Sequence, residues 1–332
     1  MKLTLTLALM LLLACSEPSK EKTYRTIGGI ERIDPEINAI IDSNAVIEII
    51  AEGFEWSEGP VWLEKQQKLL FSDVPKNTIH AWSEEKGTEV YLTPSGYTGN
   101  TTRGGETGSN GLQLMNDSLV LCQHGNRQVA VMNAPLDAPK SDFRSLANQY
   151  NRKKFNSPND LVIRSNGDVF FTDPPYGLEK GMDDSTKETP FQGVYKVSGG
   201  RVTLMVDSIT RPNGIAFTPD EKVLIVANSD PAKPFWYAYD VTAGDSLINA
   251  RIHHDASAAA KTEKGLPDGL KIDKQGYVFA SGPGGLWIFN KNGKLIGKCK
   301  IPEATSNCAL SADEKTLYIT SDMYVLRIRM RK

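Results

Sequence analysis

The sequence predicts a six-bladed β-propeller built from four-stranded antiparallel blades. Three observations carry this expectation. A polar residue followed by a small or acidic one recurs ahead of an apolar strand: Glu58-Gly59, Asn110-Gly111, Asn159-Asp160, Asn213-Gly214, Asp268-Gly269 and a degenerate Asn307-Cys308, spaced 52, 49, 54, 55 and 39 residues apart. Each copy is followed by the same order of strand, polar turn and second strand, and fixed-period self-similarity of this size is the signature of a repeat fold. The sixth unit shows only three strands before Lys332, while a spare strand, Ala45 to Glu52, precedes the first unit. Joining that strand to the last blade closes a ring.

The elements follow in order. After each polar point comes a short apolar run: Val61 to Leu63, Leu112 to Leu114, Leu161 to Ile163, Ile215 to Phe217, Leu270 to Ile272, then Ala309-Leu310. Turns rich in Gly, Asn, Asp and Lys come next, such as Asn116 to Ser118 and Ser165 to Asp168, and these are hairpin signals. The second strands, Leu69 to Phe71, Leu119 to Leu121, Val169 to Phe171, Val223 to Val226, Tyr277 to Phe279 and Leu317 to Ile319, are continuously apolar. That pattern suits strands buried on both faces. A third strand and a more polar fourth complete each blade, as in Gln128 to Met132 with Asp142 to Leu146. The best helical stretch, Ala256 to Lys264, is short enough to be a surface loop or a single turn.

The chain has 332 residues, with 38 Lys and Arg against 40 Asp and Glu. A net charge of −2 leaves no basic excess to attract nucleic acid. Residues 1–15 read as a lipoprotein signal peptide: Met1-Lys2, an apolar run from Leu3 to Leu13, and Leu12-Leu13-Ala14-Cys15 in the manner of a bacterial lipobox. The run is too short to span a bilayer, which takes about 20 residues. The expectation is an exported chain, lipid-anchored through Cys15 to the cell envelope, at the outer membrane facing periplasm or surface, with residues 16–44 as tether and N-terminal extension and 45–332 as the catalytic propeller. Membrane contact is expected only through that anchor, and the chain is expected to be a monomer. Cys122, Cys299 and Cys308 make an odd set with no zinc spacing, and buried apolar roles are expected for all three.

In a propeller the first strand of each blade lines the axis, so residues far apart in sequence meet at one face. Glu58, Asn159, Asn213 and Asp268, with Asn110 beside them, would present hard oxygen donors and no thiolate or imidazole. Such a set suits calcium, which takes about 6–8 oxygens, with magnesium, manganese or zinc as alternatives. Any single Asn or Asp beside a Gly also serves as a turn cap; the register of five copies favours a metal. A bound cation can polarise a carbonyl, and Asp268, the one Asp in register, is the candidate general base. The reaction class is hydrolysis of an activated ester or lactone, with no Gly-x-Ser-x-Gly elbow to suggest a serine esterase. A phosphotriester at the same ion, or a propeller that only binds a sugar or a protein, are the alternatives.

Further candidates flank that face. His124 either donates to substrate or shapes a turn. Arg127 either meets a substrate carboxylate or pairs with a surface acid. The Asp173-Pro174-Pro175-Tyr176-Gly177 run places Tyr176 at the mouth and Asp173 near the metal shell. The Gly/Thr-rich stretch from Thr98 to Ser109 reads as a lid or a connection, and His253-His254 as a solvated pair. Asn307 is assigned to closure of the fold.

The motifs Glu58-Gly59-Pro60-Val61-Trp62, Asn156-Ser157-Pro158-Asn159-Asp160, Thr172-Asp173-Pro174-Pro175-Tyr176-Gly177, Pro212-Asn213-Gly214 and Pro267-Asp268-Gly269 together resemble the gluconolactonase family, which includes regucalcin (senescence marker protein) and lactone hydrolases. The resemblance runs from about Ala45 to the end and implies a propeller with a divalent metal at its axis, held by Glu58, Asn159, Asn213 and Asp268, acting on a small sugar lactone. Regucalcin-like members carry a substrate-contacting Arg two residues before the blade-three Asn; here that position is Ser157. The motif runs look more like the bacterial gluconolactonase branch.

Overall fold

In the computed structural model, which describes residues 22–331, six antiparallel sheets follow one another around an axis. The expected lipobox and most of the expected tether lie outside the described residues. Blade 1 comprises Ser57–Leu63, Lys68–Asp73, Thr78–Ser83 and Gly87–Leu92. Blade 2 runs Ser109–Met115, Ser118–Gln123, Gln128–Met132 and Phe143–Ala147. Blade 3 has Leu161–Ile163, Val169–Asp173, Gly193–Ser198 and Arg201–Val206. Blade 4 has Pro212–Phe217, Val223–Asn228, Phe235–Val241 and Leu247–Asp255. Blade 5 has Leu270–Ile272, Val278–Gly282, Gly285–Phe289 and Leu295–Lys300.

Blade 6 supplies only Thr305–Leu310, Thr316–Ser321 and Tyr324–Arg329. Its fourth strand is Glu48–Glu52, antiparallel to Tyr324–Arg329, with Ile49 opposite Leu326. The closing strand is thus the one the sequence offered, shortened by three residues at its start. Glu48 accepts a hydrogen bond from Nε of the buried Arg327 at 2.6 Å, which ties the first strand of the propeller to the last.

The N-terminal extension is folded from Lys22 onward rather than tethering freely. Gly29–Arg32 adds a fifth strand to the edge of blade 5. Edge strands expose unpaired N–H and C=O groups, and this one covers such an edge. A 3-10 turn, Pro35–Ala39, follows, capped by Asp34 and started by proline. Its Glu36 accepts from Tyr277 Oη and Asn290 Nδ2, and Ile37 is fully buried on blade 5.

Apolar second and third strands do what their composition requires. They form one buried cluster in each seam between neighbouring blades, from Leu70 with Leu121 between blades 1 and 2 to Phe71 with Tyr318 between blades 6 and 1. The core is therefore a ring around the axis, and the axis itself is left to polar side chains. All three described cysteines are free and buried, as expected. The stretch from Ala256 to Lys264 holds one 3-10 turn, Ala259–Lys261. His253 and His254 do not form a solvated pair: they lie against Phe289 and Trp287, with ring centroids 5.3 Å apart in each case. The outer strand of blade 4 packs them on the aromatic seam with blade 5, a partnership the local sequence does not encode. Among the described residues no helix is long and apolar enough to cross a membrane.

Candidate functional site at the propeller axis

The recurring polar residues sit where the innermost strands approach the axis, and in blades 1, 2, 4 and 6 the strand register breaks there. A bulge of this kind re-aims one side chain out of the ladder. The glycine that follows has a steric role. A Cβ on Gly59, whose φ is +52°, would lie 1.9 Å from the carbonyl oxygen of Asn110; one on Gly214 would lie 2.2 Å from that of Asp268. Each blade's glycine lets the next blade's polar residue close on the axis.

A second repeated device lies at the ends of the second strands. Asp73 accepts from the N–H groups of Glu55 and Trp56, Asp173 from those of Asn156 and Ser157 at 2.8 Å each, and Asn228 from that of Arg211 at 2.8 Å. Each clamps the loop leading into its own blade's axial residue. Asp173 is fully buried in this clamp and not on the cavity wall, which corrects its expected place near a metal or substrate. Burial pushes its carboxyl up to about 7, against the pull of its two N–H donors.

At the axis opens a cavity of about 360 Å³. Glu58, Asn110, Asn159, Asp268 and Tyr176 face it, as the sequence predicts. Asn213 lies just behind, buried, giving its amide N–H to Ser229 Oγ at 3.0 Å; Ser229 itself faces the cavity. Arg127 is elsewhere. Its guanidinium donates to the carbonyls of Phe155 and Thr186 at 2.6 and 2.9 Å and lines a separate cleft between blades 2 and 3. The expectation that it meets substrate in the axial cavity is corrected: backbone carbonyls in the 155 and 186 loops claim it.

Among the wall residues that the sequence did not single out, three carry charge or an aromatic face. Glu106 comes from the Gly/Thr-rich stretch, which Arg103 staples down by donating to the carbonyls of Gly125 and Gly177 at 2.6 Å each. Arg211 contributes a guanidinium with no side-chain hydrogen bond or ion pair among the described residues. It stands two residues before Asn213, the offset in blade 4 that Ser157 occupies before Asn159 in blade 3. Trp56 supplies an aromatic wall. The third-blade copy carried its own signal: Asp160 stands where the other full copies have glycine, and its buried carboxylate enters the axis. Asn307 is there too, donating Nδ2–H to Glu58 Oε2 at 3.1 Å and Asp160 Oδ2 at 3.3 Å. It braces the site as well as the ring.

His124 is fully buried and reaches the cavity only through its neighbours. Its Nδ1 is 3.2 Å from Glu106 Oε2, and its Nε2 is 3.4 Å from Asn159 Nδ2. The Glu106 contact lacks hydrogen-bond geometry, so Nδ1 has no hydrogen-bond partner; the amide nitrogen of Asn159 can only donate, so Nε2 accepts from it and a neutral ring carries its proton on Nδ1. That turns the Asn159 carbonyl oxygen toward the cavity.

The electrostatics are those of a site built around positive charge. Glu58 is buried and is pushed up to about 8, first by desolvation and then by Asp160, against donors from Gly59 and Asn307 and the charge of Lys271. Asp268 is raised well above the ordinary carboxylate range, by burial and then by Glu58, Asp160 and Glu106. Asn110 Oδ1, Asn159 Oδ1 and Asp268 Oδ1 are buried with no hydrogen-bond donor. Such orphaned acceptors cost of order 1–3 kcal/mol each unless something satisfies them. Three carboxylates, of Glu58, Glu106 and Asp268, and the amide oxygens of Asn110 and Asn159 on one cavity match the donor chemistry of a hard divalent cation. Among the described residues no three Asp, Glu, His or Cys side chains gather as a metal cluster, so amide oxygens have to complete any shell.

Fold and site together define a six-bladed propeller with an acidic, oxygen-lined axial cavity. The chain belongs to the SMP-30/gluconolactonase/LRE-like family, whose model matches residues 56–323. It is 37% identical over 317 residues to a gluconolactonase of Zymomonas mobilis, covering 92% of this chain and 87% of that one. A gluconolactonase structure from Xanthomonas campestris superposes with a TM-score of 0.78 at 26% identity, covering 93% and 98% of the two chains. A calcium-binding regucalcin from Agrobacterium tumefaciens, 16% identical over 85% of this chain and 94% of its own, shares the fold with a TM-score of 0.65.

Proposed function

We propose that this chain is a divalent-cation-dependent hydrolase of small sugar lactones, with calcium as the cation. The observation that carries it is the set of three buried, unpartnered oxygens on Asn110, Asn159 and Asp268, facing the same cavity as Glu58. The lactone-acting names of the Zymomonas and Xanthomonas relatives support the substrate class. When bound, the cation supplies Lewis-acid polarisation of the lactone carbonyl.

The residues divide the remaining work. Glu58, Asn159 and Asp268 would hold the cation from the cavity wall and Asn213 from just behind it, with His124 fixing the Asn159 amide. Asp268 takes a proton from water as the water oxygen bonds to the carbonyl carbon. The ring C–O bond breaks, and the proton passes to the departing alkoxide, giving the open hydroxy acid. Arg211 and Tyr176 donate to substrate oxygens, and Trp56 covers an apolar edge of the ring.

The test uses protein lacking residues 1–20 and glucono-1,5-lactone. Opening faster than buffer, abolished by chelation and restored by calcium, is expected. No chelator-sensitive rate on any aldonolactone would overturn the reading. We further infer from the Leu12-Leu13-Ala14-Cys15 run that the chain is exported and lipid-anchored at Cys15. Metabolic labelling with a fatty acid should mark the full-length chain and not Cys15→Ala; equal labelling of both overturns it.

A further inference from the structure

We propose that Lys271 is a built-in cation in the axial channel, and that it confines the centre to one divalent ion. The proposal rests on the reading of a divalent cation at Glu58 and Asp268.

Lys271 follows the axial Asp268 by three residues on the innermost strand of blade 5, Leu270–Ile272. Its Nζ donates to the carbonyl of Leu270 at 3.1 Å and to Asn307 Oδ1 at 3.2 Å, and stands 3.6 Å from Asp160 Oδ2. The ammonium is therefore bound by a peptide oxygen, an amide oxygen and a carboxylate, the same donor types that face the cavity. Asn307 connects the two positions. Its oxygen accepts from Lys271, and its NH2 group donates to both Asp160 and Glu58.

The charges at the axis fix the consequence. Glu58, Asp160 and Asp268 bring three negative charges to the axis, Glu58 and Asp160 buried and Asp268 half-buried with its Oδ1 shut from solvent. One ammonium and one divalent cation bring three positive charges. Two further charges line the cavity wall, Glu106, about a third exposed, and the Arg211 guanidinium, and these offset one another. Isolated charges away from water are costly, so the axis reaches balance with one ion and has no room in its charge for a second. Without Lys271, Asp160 and Asn307 would present an oxygen-lined position lacking its cation.

The experiment measures calcium stoichiometry and affinity by titration calorimetry, and melting temperature in EDTA, on protein lacking residues 1–20. Wild type should bind one ion. Lys271→Met should bind two, and Lys271→Met/Asp160→Asn only one. In EDTA, Lys271→Met should melt below wild type, because Asp160 is left buried without its partner, and adding Asp160→Asn should recover most of the loss. Asp160→Asn alone should weaken calcium binding at least about tenfold, since the ammonium then repels the ion without a screening carboxylate. One ion in Lys271→Met, at wild-type affinity and melting temperature, overturns the proposal, as does wild-type affinity in Asp160→Asn. Wild type that binds no divalent ion overturns the underlying functional reading, and this proposal with it. The EDTA melts still report the Lys271–Asp160 pairing separately.

Discussion

Glu58→Gln isolates the electrostatic role of the axial carboxyls. In the cation-free protein Glu58 is pushed up to about 8 by burial and by the charge of Asp160, against an ordinary Glu near 4.5. Its folded-state proton affinity is raised, so its contribution to stability is fully present below about pH 4.5 and is lost as pH rises through about 8. The gap corresponds to on the order of 5 kcal/mol across that window. The cation-free protein should therefore lose stability between pH 5 and pH 9, and Glu58→Gln, which carries no charge at any of these values, should flatten the slope. Calcium should reverse the sign of the comparison: wild type gains stability steeply with pH as the ion replaces protons, and the variant gains little. Chemical denaturation in EDTA and in calcium, across that pH range, measures both. Calorimetry in buffers of differing ionisation enthalpy should also register proton release on calcium binding near pH 7. A cation-free wild type whose stability does not fall with pH, or a variant with the same slope, would refute the argument that these carboxyls are held at the axis against their own repulsion.

Asp268→Asn should keep the fold and lower lactone opening by about 10²–10⁴-fold, read as initial rate at saturating calcium; turnover within tenfold of wild type removes Asp268 as the base. His253, whose imidazole is pushed down to about 4 by burial and then by the charges of His254 and Arg251, stays neutral when folded; its contribution is present above pH 6.5 and lost as pH falls toward 4. His253→Phe should therefore be less sensitive to acid over that interval, by up to about 3 kcal/mol, as judged by melts at pH 4.5 and 7. Arg327, buried, is held by Glu48 across the ring closure and by Glu84; Glu48→Ala should cost about 2 kcal/mol in urea unfolding, and an unchanged midpoint would show that Glu84 alone satisfies Arg327.

The number of blades, the donor strand and the axial residues were legible in the chain because a propeller writes itself as a period. Apolar strands, turn chemistry and glycine recur in register, and Glu58 and Asp268 stand out as substitutions within one repeated, mostly Asn, position. The docked extension was less legible, since Gly29–Arg32 is polar and gains its place only from the open edge of blade 5.

What sequence periodicity could not supply was direction and neighbourhood. Asp173 and Arg127 carry residue types that suit a site, yet one clamps a loop and the other holds backbone carbonyls, because backbone groups of neighbouring loops claim both side chains. Arg211 shares with Trp56 and Ser157 the position two residues before the axial residue, but three unlike side chains leave that position unmarked in sequence, and Glu106 lies in a loop outside the repeat. His253 reads as polar in sequence and becomes part of an aromatic seam. Local sequence fixes which backbone a segment adopts, since sterics and hydrogen bonding act over a few residues. Closing the ring decides which side chains meet, because the axial cavity, its raised carboxyls and the Lys271 ammonium exist only where six distant strands converge.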